Sequence, residues 1–378
     1  MSSKVGAQVP PRIALVYLAR FAEGVEPVRK FIESYKRHPA GVPHDLIIVW
    51  KGFPNNGPAD SPQMAICREV EHRSIAMTDE GLDLTAYDIA TAQIDHEFVC
   101  FLNTFSEIES DNWMQKLYAH ISRPDVGIVG STASFESLRL SMKGMNKAVW
   151  MCVQNIPYDP FYADVWGQEI VKHAPRWLTH ARGRRWRRIV YKVTGWRQKH
   201  PLRYHISFEH AWNIAGEAYA GFPEFPNPHL RSNAFMIRRT VFRSLMPFRI
   251  YTKNDAFNFE SGKASMTNQI LRRTLKALVV GHDGKAYDLP EWKDSFTFRR
   301  GSQHNKLVAD NQTKAFDTMN RAQKILAESW TWGPPLEELI IDIPELETIT
   351  THRSPSPDGP LNLPNAHLPL PFSPELFQ

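Results

Sequence analysis

The sequence predicts an α/β fold: a mostly parallel sheet with helices on both faces, a helical basic insertion and an extended proline-rich tail. Three observations predict it. Short, wholly apolar runs such as Leu46–Trp50 and Phe98–Leu102 suit strands buried on both faces. Segments with helical apolar spacing separate them. The alternation then stops between Phe135 and Phe222, and beyond Gly333 prolines recur from Pro334 to Pro374.

The first strand is Arg12–Leu18, after Pro10 and Pro11. Val25–His38 follows as a helix, with Val28, Phe31, Ile32 and Tyr35 on one stripe, and Asp45–Trp50 is the second strand. Strand, helix and strand joined by short connections form a βαβ unit, whose strands run parallel. Pro62 suits the first turn of the next helix. Ser74–Met77 is a short strand, and Asp83 opens a helix over Leu84–Ile94. Glu97–Leu102 is the strongest central strand, Asp111–His120 a helix and Val126–Gly130 a further strand. Residues 12–130 therefore read as one doubly wound layer. Strand signals return at Asn233–Ile237 and Ala277–Val280, with helices over Lys263–Lys276 and Thr313–Glu328. The expected organisation is an α/β half over 10–137, an insertion over 138–225, a second half of the same domain over 226–330, and a tail over 333–378. No internal repeat is visible.

Composition narrows the function classes. With 378 residues, 42% hydrophobic and 22% charged, the chain is ordinary globular text with room for about two domains or one enlarged one. Cys67, Cys100 and Cys152 have no metal spacing and are odd in number, which suits a reducing, cytoplasmic setting. No apolar run reaches the roughly 18 residues of a membrane span, and residues 1–9 lack the apolar stretch of a signal peptide. The net charge is +5, yet Ile170–Phe208 holds eleven Lys/Arg and no acid, which leaves −6 for the remainder. Interleaved Trp and Tyr over 172–203 suit an anionic membrane surface at its inner face, or a solvated basic face packed by its aromatics. Nucleic acid is disfavoured, because no finger, helix-turn-helix or stacking-sheet motif accompanies the charge. Phosphate-cradling GxxxxGK[ST] and GxGxxG loops, GxSxG, HExxH and CxxC are all absent. His120, His173 and His200 stand alone.

Parallel sheets bind ligands beyond the carboxyl ends of their strands, so the residues there are the candidates. Ala19 and Arg20 follow the first strand, Asp83 and Tyr87 the third, and Asn103, Ser106 and Glu107 the fourth. His229, Arg231 and Asn233 crowd the entrance to the strand at Ala234, suited to hydroxyl or phosphate recognition, or to satisfying backbone groups. Asp255 and Glu260 precede an expected helix start near Ser261. Arg300, His304, Asp310 and Asn311 are either diphosphate and sugar contacts or, for the last two, a helix N-cap.

Leu82-Asp83-Leu84-Thr85-Ala86-Tyr87, with Glu97–Asn103, resembles bacterial GT-A-type (family-2-like) glycosyltransferases, most closely those that assemble rhamnan, O-antigen and related surface polysaccharides. The resemblance covers about 12–130 and continues more faintly through 229–311. It implies a nucleoside-diphosphate sugar donor and a glycan or lipid-linked acceptor. Asp83 and Tyr87 would hold the nucleotide side and Asn103 and Glu107 would face the diphosphate. Glu260, with Asp255 second, would take the acceptor proton in an inverting transfer, and His229 and Arg231 would orient acceptor or phosphate. One departure stands out. Such enzymes commonly carry Asp-x-Asp after the fourth strand to hold Mg²⁺ or Mn²⁺, and here the turn is Asn103-Thr104-Phe105-Ser106-Glu107, so at most Asn103 and Glu107, joined by a remote group such as His304 or Asp310, could serve a metal. Retention rather than inversion, a catalytically silent glycan-binding subunit and a peripheral membrane protein remain alternatives.

Overall fold

A computed structural model describes residues 13–54, 57–139, 220–245, 250 and 252–333. The basic segment 172–203, Cys152, His173, His200 and the proline-rich tail lie outside them. The chain divides into two units, 1–136 with 226–333, and 137–225 with 334–378. In the second unit, Ser137 Oγ donates to the Pro223 carbonyl at 2.6 Å and Arg139 pairs with Glu224 at 3.1 Å.

The first unit is built on alternation. In β1 (Ile13–Arg20) the odd and even residues pack into different cores. Ala14, Val16 and Leu18 face one side of the sheet, and Ile13, Leu15 and Tyr17 the other. The same double burial makes strands of β2 (Asp45–Lys51), β4 (Phe98–Leu102) and β6 (Val126–Gly130), whereas β3 (Arg73–Met77), at the edge of the sheet, buries only Ile75. Four of the remaining strands belong to pairs outside the main sheet: β5 (Glu107–Ile108) with β12 (Val308–Ala309), and β7 (Ala133–Ser134) with β8 (His229–Leu230). β9 (Ala234–Arg238), β10 (Lys276–Val280) and β11 (Ala286–Tyr287) complete an eight-stranded sheet of order β11-β10-β6-β9-β4-β1-β2-β3. β1, β2, β3 and β4 run parallel, as do β6 and β10. β9 runs against both of its neighbours, β4 and β6.

Helices cover both faces. α1 (Glu26–Arg37) and α4 (Trp113–Ile121) bury Phe31, Ile32, Trp113 and Leu117 on one side. The Phe31 ring stacks on Tyr17 at 3.7 Å between centroids. α2 (Pro62–Cys67) is capped by Ser61, whose oxygen accepts the Met64 N–H. On the other side α3 (Asp83–Ala92), α5 (Arg239–Leu245) and α7 (Met266–Arg272) bury Leu84, Tyr87, Phe242, Leu245, Met266 and Ile270. Each such fully buried side chain contributes about 1.5–3 kcal/mol.

Three boundaries differ from the expectation. The helix start near Ser261 is instead a helix end: α6 (Lys253–Ser261) begins at Thr252, whose hydroxyl accepts the Asp255 N–H while Asp255 accepts the Thr252 N–H. The helix over 263–276 shortens to α7, because Ser265 caps it late and Thr274 turns left-handed (φ 59°) before β10. The last helix is two, α8 (Asn311–Thr318) and α9 (Arg321–Trp332), separated where Met319 becomes extended. No helix among the described residues is long and apolar enough to cross a membrane.

Gly127 shows how closely α7 lies on β6. A Cβ there would stand 2.6 Å from Ile270 Cγ2 and 3.0 Å from Leu275 Cβ. Gly127→Ala should therefore lower stability by about 1–3 kcal/mol, read as a reduced urea midpoint at unchanged slope.

Candidate functional site

Because β1 to β4 and β6 are parallel, their carboxyl ends share one edge. The segment preceding the reversed β9 comes to that edge as well, since Ala234 pairs with Leu102, the last residue of β4. Arg20 and Lys51 end β1 and β2 side by side and meet Asp79 after β3. Arg20 donates to the two Asp79 carboxylate oxygens at 3.1 and 3.2 Å. The nearly buried Lys51 ammonium donates to Asp79 Oδ1 at 2.7 Å and to the Asp79 carbonyl at 2.8 Å. Arg20, and behind it Lys51, holds the Asp79 carboxyl down at about 2. Gly52 allows this approach: its φ is +74° and a Cβ would meet Asp79 at 3.0 Å.

Asp83, at the first position of α3, is different. Burial pushes its carboxyl above the ordinary value; Lys51 and Arg20 oppose that shift, while Glu23 and Glu260 add to it. Among the described residues nothing hydrogen-bonds it or pairs with it.

The turn after β4 is closed on itself. Asn103 Oδ1 accepts the Phe105 N–H at 3.2 Å and the Ser106 hydroxyl at 2.9 Å, and Tyr17 from beneath donates to the Thr104 carbonyl at 2.9 Å. Glu107 lies in β5 and is ion-paired with Lys314 of α8. These residues do not fit a divalent cation. The one oxygen of Asn103 is spent on donors, the one carboxylate is paired, and the described residues contain no group of three His, Cys, Asp or Glu able to hold a metal.

The opposite flank is assembled around β8. The Asn227 amide donates to the Ser261 carbonyl at 2.7 Å, pinning the end of α6 to this strand. His229 is buried, and its Nδ1 lies 2.8 Å from the Asn227 carbonyl. Burial lowers its pKa, so the ring is neutral near pH 7, with Nδ1 carrying the hydrogen and Nε2 a free lone pair. Glu260, in the last turn of α6, accepts the Ser232 hydroxyl at 2.5 Å and acts electrostatically on both His229 and Asp83. A carboxylate at a helix C-terminus opposes the helix dipole, so Glu260 is not there to stabilise α6. Arg231 donates to Asp310 at 2.7 Å and to Thr132 at 3.3 Å, and lies 4.0 Å over the Phe298 ring. Burial alone would raise the Asp310 pKa, but Arg231 and the Thr313 N–H bring it below the usual range. Arg299 covers Phe298 as well and reaches Glu136 and Gln312.

Of the residues the sequence singled out, the structure thus brings Arg20, Asp83, Asn103, Ser106, His229, Arg231, Asn233 and Glu260 to one edge. Others are used differently. Ala19 and Tyr87 are core residues; the Tyr87 ring stacks on Phe101 at 4.4 Å. Asp255 belongs to the capping box of α6. Asp310 is the N-cap of α8 and Asn311 its first residue, so the capping alternative holds, with Asp310 also anchoring Arg231. Arg300 pairs with Glu328 at 2.6 Å, and the exposed His304 lies against Phe296. Lys51, Asp79 and Ser232 were missed as site residues. Lys51 carried a signal, being a charge that directly ends an apolar strand.

No protein-family model and no curated protein matches the chain. Among solved structures, it is similar to a mannosyltransferase from Pyrobaculum calidifontis in complex with GDP-Man and Mn²⁺ (12% identity, TM-score 0.27, 32% of this chain and 35% of that one). It is similar also to glucosyl-3-phosphoglycerate synthase from Mycobacterium tuberculosis with Mn²⁺ and UDP (14% identity, TM-score 0.25, 32% and 43%). The chain thus spans less than half the length of either structure.

Asp83 offers a direct check that the edge is built for a ligand. Asp83→Asn removes a half-buried charge that has no partner among the described residues and should stabilise the free protein, on the scale of about 0.5–2 kcal/mol, while weakening ligand binding. A thermal melt of the two proteins at pH 7 reads this; a lower melting temperature for the variant would contradict it.

Proposed function

We propose that the protein is a glycosyltransferase that moves a sugar from a nucleoside-diphosphate donor to a hydroxyl of a bacterial surface glycan or its lipid-linked precursor. The observation that carries the reading is Glu260. Its carboxylate accepts the hydroxyl of Ser232 at the entrance of β9 and acts electrostatically on both Asp83 and His229.

The chemistry follows from the donors and acceptors in place. Ser232 holds one carboxylate oxygen of Glu260, and the other is left to receive a proton. His229 Nε2 accepts a hydrogen bond from a second hydroxyl of the incoming glycan and so orients it. As Glu260 takes the proton of the attacking hydroxyl, that oxygen bonds to the anomeric carbon, the bond from that carbon to the diphosphate breaks, and the nucleoside diphosphate leaves with the electron pair. The product has the inverted configuration. Asp83 faces the nucleoside, where ribose hydroxyls can donate to its free oxygens, and the resemblance of 82–87 to surface-polysaccharide enzymes supports the acceptor class.

General-base catalysis by a positioned side chain contributes about 10²–10⁴ in rate. With purified protein and UDP-, GDP- or dTDP-sugars, Glu260→Gln should lower transfer, or donor hydrolysis in the absence of acceptor, by about a hundredfold or more, with donor binding retained. Full activity in that variant removes Glu260 from the base role.

A further inference from the structure

We propose that the donor diphosphate is received by hydrogen-bond donors at the junction of β4 and β9, chiefly the Asn103 amide and the Arg231 guanidinium, and not by a divalent cation. This rests on the glycosyltransferase reading above.

The acceptors at that junction are already spent. Asn103 Oδ1 accepts the Phe105 N–H and, at 2.9 Å, the Ser106 hydroxyl, Glu107 is paired with Lys314, and the Asn233 carbonyl accepts the Asn103 N–H at 3.0 Å. A cation placed there would meet no free carboxylate among these residues.

Donors, in contrast, are left over. Because the Phe105 N–H identifies Oδ1, the other end of the Asn103 amide is the NH₂, and it has no partner among the described residues. A guanidinium carries five N–H groups. Arg231 spends one on Asp310 and one on Thr132, and the rest have no acceptor among the described residues. The Asn233 NH₂ and the Ser131 hydroxyl are buried with no acceptor among the described residues. Such a surplus of donors is the complement of an anion.

The parts are also rigid and contiguous. Thr132 bridges Arg231 to Asn233, accepting from the one and donating to the other at 2.8 Å. Asn233 is in turn bonded to Asn103. Asp310 is completely buried while the Arg231 side chain keeps 11% exposure, so the charge that reaches the edge is the positive one. Donors fixed before the ligand arrives need no reorganisation as negative charge builds on the leaving diphosphate.

The test is calorimetric titration of the intact protein with UDP, GDP and dTDP, once in EDTA and once in Mn²⁺. At least one should bind in EDTA, with Mn²⁺ changing the affinity by less than about threefold. Asn103→Asp keeps both Oδ1 bonds, removes the NH₂ and adds a negative charge. It should weaken binding in EDTA by about tenfold or more without lowering the melting temperature. Binding only in Mn²⁺ would overturn this inference and leave the glycosyltransferase reading standing, as would unchanged affinity in Asn103→Asp or a loss that tracks unfolding. No binding in either buffer would remove both.

Discussion

The reversed strand β9 is hydrogen-bonded on both sides, to β4 and to β6, and runs against each of them. Everything at the site depends on that placement. Had β9 been parallel to its neighbours, residues 229–233 would lie at the far edge of the sheet, away from Asp83 and Asn103. Reversal folds the entrance of β9 back onto the carboxyl ends of the other strands, so that the Asn233 carbonyl accepts the N–H of Asn103, the residue that follows β4. The short β7–β8 pair and the Asn227–Ser261 contact then hold the end of α6, and with it Glu260, to the same edge.

The local costs of the fold gather there. Asp83 is a half-buried carboxylate without a partner among the described residues, Glu260 sits at the unfavourable end of its helix, and Arg299 has a left-handed backbone (φ 42°) without being glycine. The Asn233 NH₂ is buried and unanswered. Each is a departure from what stability alone would select, and such departures concentrate where a ligand completes the structure. In the core behind them β1 alternates cleanly between two apolar layers and Tyr17 uses its hydroxyl to support the Thr104 turn, while the Tyr87 hydroxyl and the Trp113 and Trp292 ring N–H groups are buried without a partner among the described residues.

Much of the fold was legible because strands buried on both faces leave continuous apolar text; β1, β2, β4, β6 and β10 are visible in this way. The direction of β9 was not, since Ala234–Arg238 reads the same whichever way it pairs. Nor was α6 legible: its start depends on a reciprocal bond between Thr252 and Asp255, while Phe257 and Phe259 give no helical stripe, so Glu260 was placed before a helix rather than at the end of one. At the site, residue type was easier to read than orientation. Arg299 and Arg300 are adjacent and identical in the text, and only the left-handed turn sends Arg299 to Glu136 and Arg300 to Glu328. Tyr87 fits its motif, yet the pitch of α3 turns it into the core against Phe101.

The central claim is that two flanks of one sheet edge, distant in sequence, receive a single activated sugar. Hydrogen exchange followed by mass spectrometry, with and without saturating UDP-glucose or GDP-mannose, tests it most directly, because bound ligand slows exchange where local opening is suppressed. The account predicts that one donor slows exchange together in peptides covering 79–88, 103–107, 229–233 and 255–262. Protection confined to one flank, or found only elsewhere in the sheet, would contradict it.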